Sequence, residues 1–180
     1  MVHRTGALLL FSITAVCMST GCASRALSAR HIPLAPEVDI NRYTGTWYEI
    51  ARLPNRFEKN LTRVTAAYSL LPDGRIKVVN RGFDSTSGTW KEVTGKAKIP
   101  DRSQPALLKV SFFWIFYSDY RIIDLDTDGY SWAMVTGKTK KYLWILSRTP
   151  VMDTDAYDSL VRKAASMGFD VMRLYTVPHK

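Results

Sequence analysis

Gly45-Thr46-Trp47-Tyr48-Glu49-Ile50-Ala51-Arg52 and Leu143-Trp144-Ile145-Leu146-Ser147-Arg148 are the two stretches that decide how this chain folds. Both are short and rich in aromatic and β-branched residues, which suit a half-buried pleated surface. Between them, similar runs alternate with turn signals. The pattern predicts strands near 45–53, 62–71, 75–83, 88–99, 106–113, 119–125, 130–137 and 141–148. The breaks are Pro72-Asp73-Gly74, Ser85 to Gly88, Pro100 to Pro105, Thr127-Asp128-Gly129 and Gly137-Lys138-Thr139-Lys140. Short, evenly spaced strands without a helical period predict a meander, and closure into a barrel removes its edges. The expected fold is all-β, an eight-stranded antiparallel up-and-down β-barrel. An interior of that size is filled by side chains or holds one small ligand.

One helix is predicted after the strands. Asp153 is a good N-cap, Asp155 and Asp158 follow it, and Gly168 is the stop. Ala156, Leu160, Val161 and Ala164 form an apolar stripe that packs the C-terminal α-helix outside the barrel. Phe169 to Thr176 reads as a short closing strand.

In an up-and-down barrel the connections alternate between the ends. An even number of strands therefore puts the start of the first, Trp47, and the end of the last, Arg148, at the same end. The opposite end receives Pro54 to Leu61, Asp84 to Ser87, Trp114 to Ser118 and Lys138 to Lys140. Those connections carry Phe57, Trp114, Ile115, Phe116 and Tyr117 beside the cations Arg56, Lys59, Lys138 and Lys140. Such a rim suits an amphiphile whose tail enters while its anionic head stays outside. A dimer contact through Trp114 and Phe116 is the other reading. Candidate ligand-binding walls are Leu108, Val110, Phe112, Trp132, Met134 and Trp144, and alternation leaves open which parity faces inward.

Gly45-Thr46-Trp47, followed about a hundred residues later by Arg148, resembles the signature of the lipocalins. Similarity to the bacterial lipocalins is carried by three blocks. These are Gly45 to Pro54, Val110-Ser111-Phe112-Phe113 and Tyr142 to Pro150, and the likeness runs from about Tyr43 to Tyr175. It implies that Trp47 seals the base of the barrel and that Arg148 lies across it, with Gly45 in the same floor. It also implies that Pro54 to Leu61 acts as a lid. The implied ligands are fatty acids, phospholipids or lysophospholipids, stored or transported for membrane maintenance. A second family motif, Asp then Tyr before strand seven, is loosely present in Asp126-Thr127-Asp128-Gly129-Tyr130, one residue longer than the bacterial pattern.

The first residues read as an address. His3 and Arg4 precede Gly6 to Met18, thirteen almost wholly apolar residues. A membrane span needs about 20, so this run fits the core of a signal peptide. Ser19-Thr20-Gly21-Cys22 then resembles a bacterial lipobox, with Ser19 where the usual Leu stands. The chain divides into a leader (1–21), a lipidated Cys22 with a flexible spacer (22–40) and a lipocalin domain (41–180). An ordinary leader cut nearby, with Cys22 incidental, is the alternative. Cys17 lies in the leader, so Cys22 would have no disulfide partner, which favours acylation. Several acyl chains anchor firmly where one holds marginally. Ala23 after the Cys, rather than Asp, suggests sorting to the outer membrane at its periplasmic face.

Lys and Arg number 25 against 16 Asp and Glu, a formal charge of +9. Removing the leader takes away Arg4 and no acid, leaving +8. An exported, lipid-anchored chain does not meet nucleic acid, so an anionic lipid or membrane surface is the expected partner; a merely solvated basic surface is the alternative. The expected partners are thus a lipid or fatty-acid ligand and the membrane. Past the leader, His31 and His179 lie outside the predicted strands, and no His/Cys cluster has metal spacing. No catalytic residue, metal or cofactor is expected. Glu49 shares the parity of Trp47, and inside a barrel it would be a hydrogen-bonding group or a proton shuttle. A lipocalin-type enzyme acting on a lipid and a filled, partner-binding barrel are the rival functions.

Overall fold

The computed structural model describes residues 28–113 and 115–180. The leader, Cys22, Ala23 and Trp114 lie outside the described residues. Eight antiparallel strands pair in the order in which they occur: β1 (Gly45–Arg52), β2 (Leu61–Leu70), β3 (Ile76–Asp84), β4 (Thr89–Lys98), β5 (Leu107–Phe113), β6 (Phe116–Leu125), β7 (Trp132–Thr136) and β8 (Leu143–Ser147). β8 returns to β1, Tyr48 opposite Ser147 and Arg52 opposite Trp144, which closes the barrel. β6 starts earlier than predicted because Phe116 pairs with Phe113.

Alternation sorts the apolar side chains into two clusters. Tyr43, Trp47, Tyr68, Ile76, Val78, Leu108, Ile122 and Val135 fill the lower barrel. Ile50, Leu53, Ile123, Met134, Ile145, Leu160 and Ala164 form a second core between the barrel's outer face and α2 (Thr154–Ser166). The Asp153 side chain accepts from Ala156 N at 3.0 Å and starts α2. Gly168, at φ +81°, ends it in the left-handed conformation that glycine adopts without steric cost. Burial of Leu160 contributes about 1.5–3 kcal/mol, and Lys163 pairs with Asp124 of β6 at 2.7 Å.

The flexible spacer expected over 22–40 is corrected from Ser28 onward. Ser28 bridges Thr139, Ala29 N donates to Lys138 O at 3.0 Å, and Ala35 N donates to Ile122 O at 2.9 Å. Ala29, Ile32, Ala35 and Val38 are buried. A Ser/Ala/Arg-rich composition hid four apolar residues that need a surface, and the barrel wall supplies one. This arm runs from the β7–β8 connection to the opposite end, where α1 (Ile40–Tyr43) turns the chain into β1. The Asp39 carboxylate caps that turn, accepting from Asn41 N at 2.8 Å.

The closing strand is shorter than Phe169 to Thr176 and does more than close. Val171–Arg173 forms a 3-10 turn, and only Tyr175–Thr176 is strand, β9. β1 and β2 pair from Gly45 to Tyr48 only; above that, β1 bulges between Glu49 and Ala51 and β2 shifts register between Thr62 and Thr65. The C-terminus enters the gap. Ala51 faces Thr176, Val177 N donates to Ile50 O at 2.9 Å, and Arg63 N donates to Pro178 O at 2.7 Å.

Candidate functional site

The end of the barrel where β1 begins and β8 finishes is sealed. Trp47 is buried, and its Nε1 donates to the Tyr43 carbonyl at 2.8 Å. The Arg148 guanidinium lies 3.8 Å from the centre of the Trp47 ring. It donates to three carbonyls from three segments: Thr46 at 3.0 Å, Arg42 at 2.6 Å and Tyr130 at 3.2 Å. One planar cation thereby holds β1, α1 and the β6–β7 loop together. Gly45 sits beside it at φ +97°, and a Cβ there would stand 3.2 Å from Arg148 Nη1. In the β6–β7 loop, Asp126 accepts from Gly129 N and from the Ser131 N and Oγ, which hold its carboxyl below the usual range. Tyr130 OH accepts from Asp39 N at 2.8 Å. Both members of the loose second motif thus organise the floor.

Above Trp47 three phenols share hydrogen bonds: Tyr43 with Tyr120 at 2.7 Å, and Tyr68 to Tyr120 at 2.9 Å. Burial pushes all three upward, so they remain neutral at physiological pH. Higher still, beneath the β1–β2 loop, lies a polar knot. Arg52 Nη1 donates to Glu49 Oε1 at 2.6 Å, and Nη2 donates to the carbonyls of Glu58 and Leu61 at 2.7 and 2.9 Å. Glu58 accepts from Asn55 Nδ2 at 2.5 Å and from Trp144 Nε1 at 3.0 Å. Burial first, then the neighbouring Glu58 charge, hold the Glu49 carboxyl well above its ordinary range against the pull of Arg52. Protonated or ionised, Glu49 accepts the Arg52 bond. The knot pins the loop that the family resemblance makes a lid.

The interior opens toward the other end. Along the inward face of β4, exposure rises from 1% at Ala97 to 41% at Val93. β4 pairs with β5 only from Lys96 to Lys98, so the two strands separate above that level. Leu108, Val110, Phe112 and Trp144 belong to the inner cluster. Trp132 and Met134 do not. Ala133 pairs with Leu146 inside the barrel, so its neighbours Trp132 and Met134 point out, into the core beneath α2; their place as cavity wall is corrected. Asn80, between Val78 and Gly82 on the inward face of β3, has a buried Oδ1 without a hydrogen-bond partner among the described residues.

At the rim, Phe57, Phe113, Ile115 and Phe116 are 62, 71, 71 and 76% exposed. Arg56 stacks on Phe57 at 4.8 Å and Lys98 on Tyr117 at 4.7 Å, while Lys59 and Lys138 are exposed. Lys140 is turned away from the opening. Its Nζ lies 2.8 Å from where a Cβ on Gly168 would stand, against the negative end of α2; its place at the rim is corrected too. The residues missed by sequence reasoning are Arg52, Glu58 and the three tyrosines. Parity alone could have put Tyr68 and Tyr120 inside, but the Arg52 side chain turns inward through a bulge that the pattern does not announce.

A closed meander barrel, sealed at one end by a Trp–Arg pair and open at the other, defines a calyx. Residues 38–179 match a family described as a lipocalin-like domain, and the chain belongs to the lipocalin family. It is 40% identical over 168 residues to the outer membrane lipoprotein Blc of Vibrio cholerae serotype O1, covering 93% of this chain and 96% of that one. To the protein of the same name from Escherichia coli K12 it is 41% identical over 169 residues, covering 94% of each. Among solved structures, insecticyanin from the tobacco hornworm Manduca sexta shares the fold, with a TM-score of 0.67, 18% identity and coverage of 83% of this chain and 85% of that one.

Proposed function

We propose that this lipocalin binds a fatty acid, phospholipid or lysophospholipid in the upper half of its barrel and stores or carries it at the outer membrane, tethered there through an acylated Cys22. The reading is carried by the exposure gradient: Ala97 is sealed while Val93, on the same face of the same strand, is open. The lower half is filled by Trp47 and the tyrosine layer, so a ligand would lie between that layer and the rim, against Val110, Phe112 and Trp144. Each methylene buried there contributes about 0.8 kcal/mol. The guanidinium of Arg52 is engaged by Glu49, Glu58 and Leu61, which favours an anionic head held at the rim by Arg56, Lys59 and Lys138. The buried Asn80 Oδ1 has no partner among the described residues and would accept from a ligand hydroxyl brought against it. The names of the relatives support outer-membrane placement.

Native mass spectrometry of protein purified from its own membrane tests the reading. A co-purifying lipid, or uptake of an added fatty acid at one per chain, is expected. A chain that arrives empty and takes up neither sinks it, and conversion of the bound lipid would replace carriage by catalysis.

A further inference from the structure

The described arm begins at the open end. Ser28 bridges Thr139 and Ala29 bonds Lys138 O, both in the connection between β7 and β8, and the chain then descends the outer wall to the floor. Cys22 stands six residues before Ser28. Six residues span at most roughly 20 Å. A lipid on Cys22 therefore holds the mouth of the barrel, and not its floor, within that distance of the bilayer.

What the mouth presents matches that placement. Phe57 projects from the β1–β2 connection and Phe113, Ile115 and Phe116 from the β5–β6 connection across the mouth, and each is more than half exposed. Three carboxylates at this end are occupied, Glu58 by Asn55 and Trp144, Asp84 by Lys91 and Asp119 by Lys109, while the exposed Glu92 stands opposite Arg81 on the outer wall. Arg56, Lys59 and Lys138 have no ion-pair partner among the described residues, so the end carries net positive charge around an apolar tip. Along the adjoining outer wall, Arg63 stacks on Phe83 at 4.0 Å and Arg81 on the half-exposed Trp90 at 4.3 Å.

We propose that the open rim is a docking surface for an anionic phospholipid bilayer. The barrel stands mouth-down, with Phe57, Phe113, Ile115 and Phe116 below the headgroups and Arg56, Lys59 and Lys138 among them. Aromatic and aliphatic tips partition into the interface, and each nearby cation adds attraction to acidic lipid. Docking does not depend on the barrel holding a ligand. Where it does hold one, as proposed above, the ligand passes between bilayer and barrel without crossing water.

The test uses the full chain as the cell makes it, reconstituted into vesicles of phosphatidylcholine and phosphatidylglycerol that carry a quencher on their lipids. A fluorophore is attached at the rim, through Phe57→Cys or Phe116→Cys, or at the floor, through Asp73→Cys or Asp128→Cys; all four positions are exposed. Thermal melts establish that each variant is folded, and two sites per end guard against a damaged one. Both rim sites should be quenched several-fold more than both floor sites. The difference should shrink in vesicles of phosphatidylcholine alone and in high salt, because exposed charges are screened over about 8 Å at physiological ionic strength. Equal quenching at both ends overturns the proposal. So does an unquenched rim accompanied by dimers that dissociate on Phe113→Ser with Phe116→Ser, which would make the surface a contact between copies. Fatty-acid uptake, measured separately, shows whether ligand binding has failed instead. Labelling of the parent chain at Cys22 shows whether the anchor has.

Discussion

The two ends of the barrel are built from the same residue classes, aromatics and cations, and use them in opposite ways. At the floor Trp47 is buried under the Arg148 guanidinium, and each of its three nitrogens donates to a carbonyl. At the mouth Phe113 and Phe116 stand in solvent, and Arg56 stacks only on the exposed Phe57. A cation over a ring is worth about 0.5–1 kcal/mol when exposed and 2 or more when desolvated. The same pair of groups therefore stabilises the fold at one end and leaves free surface at the other. What differs is whether backbone carbonyls surround the cation.

That contrast breaks first if Trp47→Ala proves harmless. It should cost about 3–5 kcal/mol in denaturant melts, as for a large aromatic removed from a packed core. Next comes Gly45→Ala, which forces a side chain to φ +97° and against Arg148. A loss of about 1–3 kcal/mol is expected, and it should be smaller when Arg148→Ala has already removed the neighbour, a coupling that a double-mutant cycle reads directly.

Between the ends, Glu49 sharpens the comparison through pH. Its folded value is raised above the ordinary 4.5, so the folded state holds the proton more tightly than the unfolded one. The stability this gives is complete below that ordinary value and is lost as pH rises through the raised one. Glu49→Gln keeps an acceptor for Arg52 and cannot ionise. The parent should therefore lose stability with rising pH faster than the variant, and parallel profiles would show that Glu49 is already charged. The smallest effect on stability belongs to the rim. Arg56→Glu with Lys138→Glu should move the melt by less than about 0.5 kcal/mol. The same pair should weaken binding of a fatty acid more than that of an uncharged alcohol of equal length, and less so as salt rises. Equal loss for both ligands would mean that the rim acts through shape alone.

The floor was legible in the sequence because its chemistry is local to each strand end: Gly45 and Trp47 announce one, Arg148 the other, and an even strand count brings them together. Eight strands and one helix were legible for the same reason, since period and turn residues are written into each segment. The inward parity of β7 was not. Ala133 and Val135 face the interior while the larger Trp132 and Met134 face α2, so size alone misleads where a second core covers the outer wall. Nor was the arm from Ser28 to Val38 legible, because its apolar residues have neither the period of two nor that of 3.6. The knot around Arg52 depends on a bulge, on a loop carbonyl and on a C-terminal strand, none of which leaves a periodic trace.

The wedge of Tyr175 to Pro178 between β1 and β2 also covers an edge that the barrel strands leave open. Without residues 175 and 176, Ala51 and Arg52 lack their β9 partners, and β1 carries an open edge there. That edge would present unpaired amides and carbonyls of the kind that recruits a foreign strand. The wall between the upper parts of β1 and β2 is therefore continuous only with residues 175–178 in place.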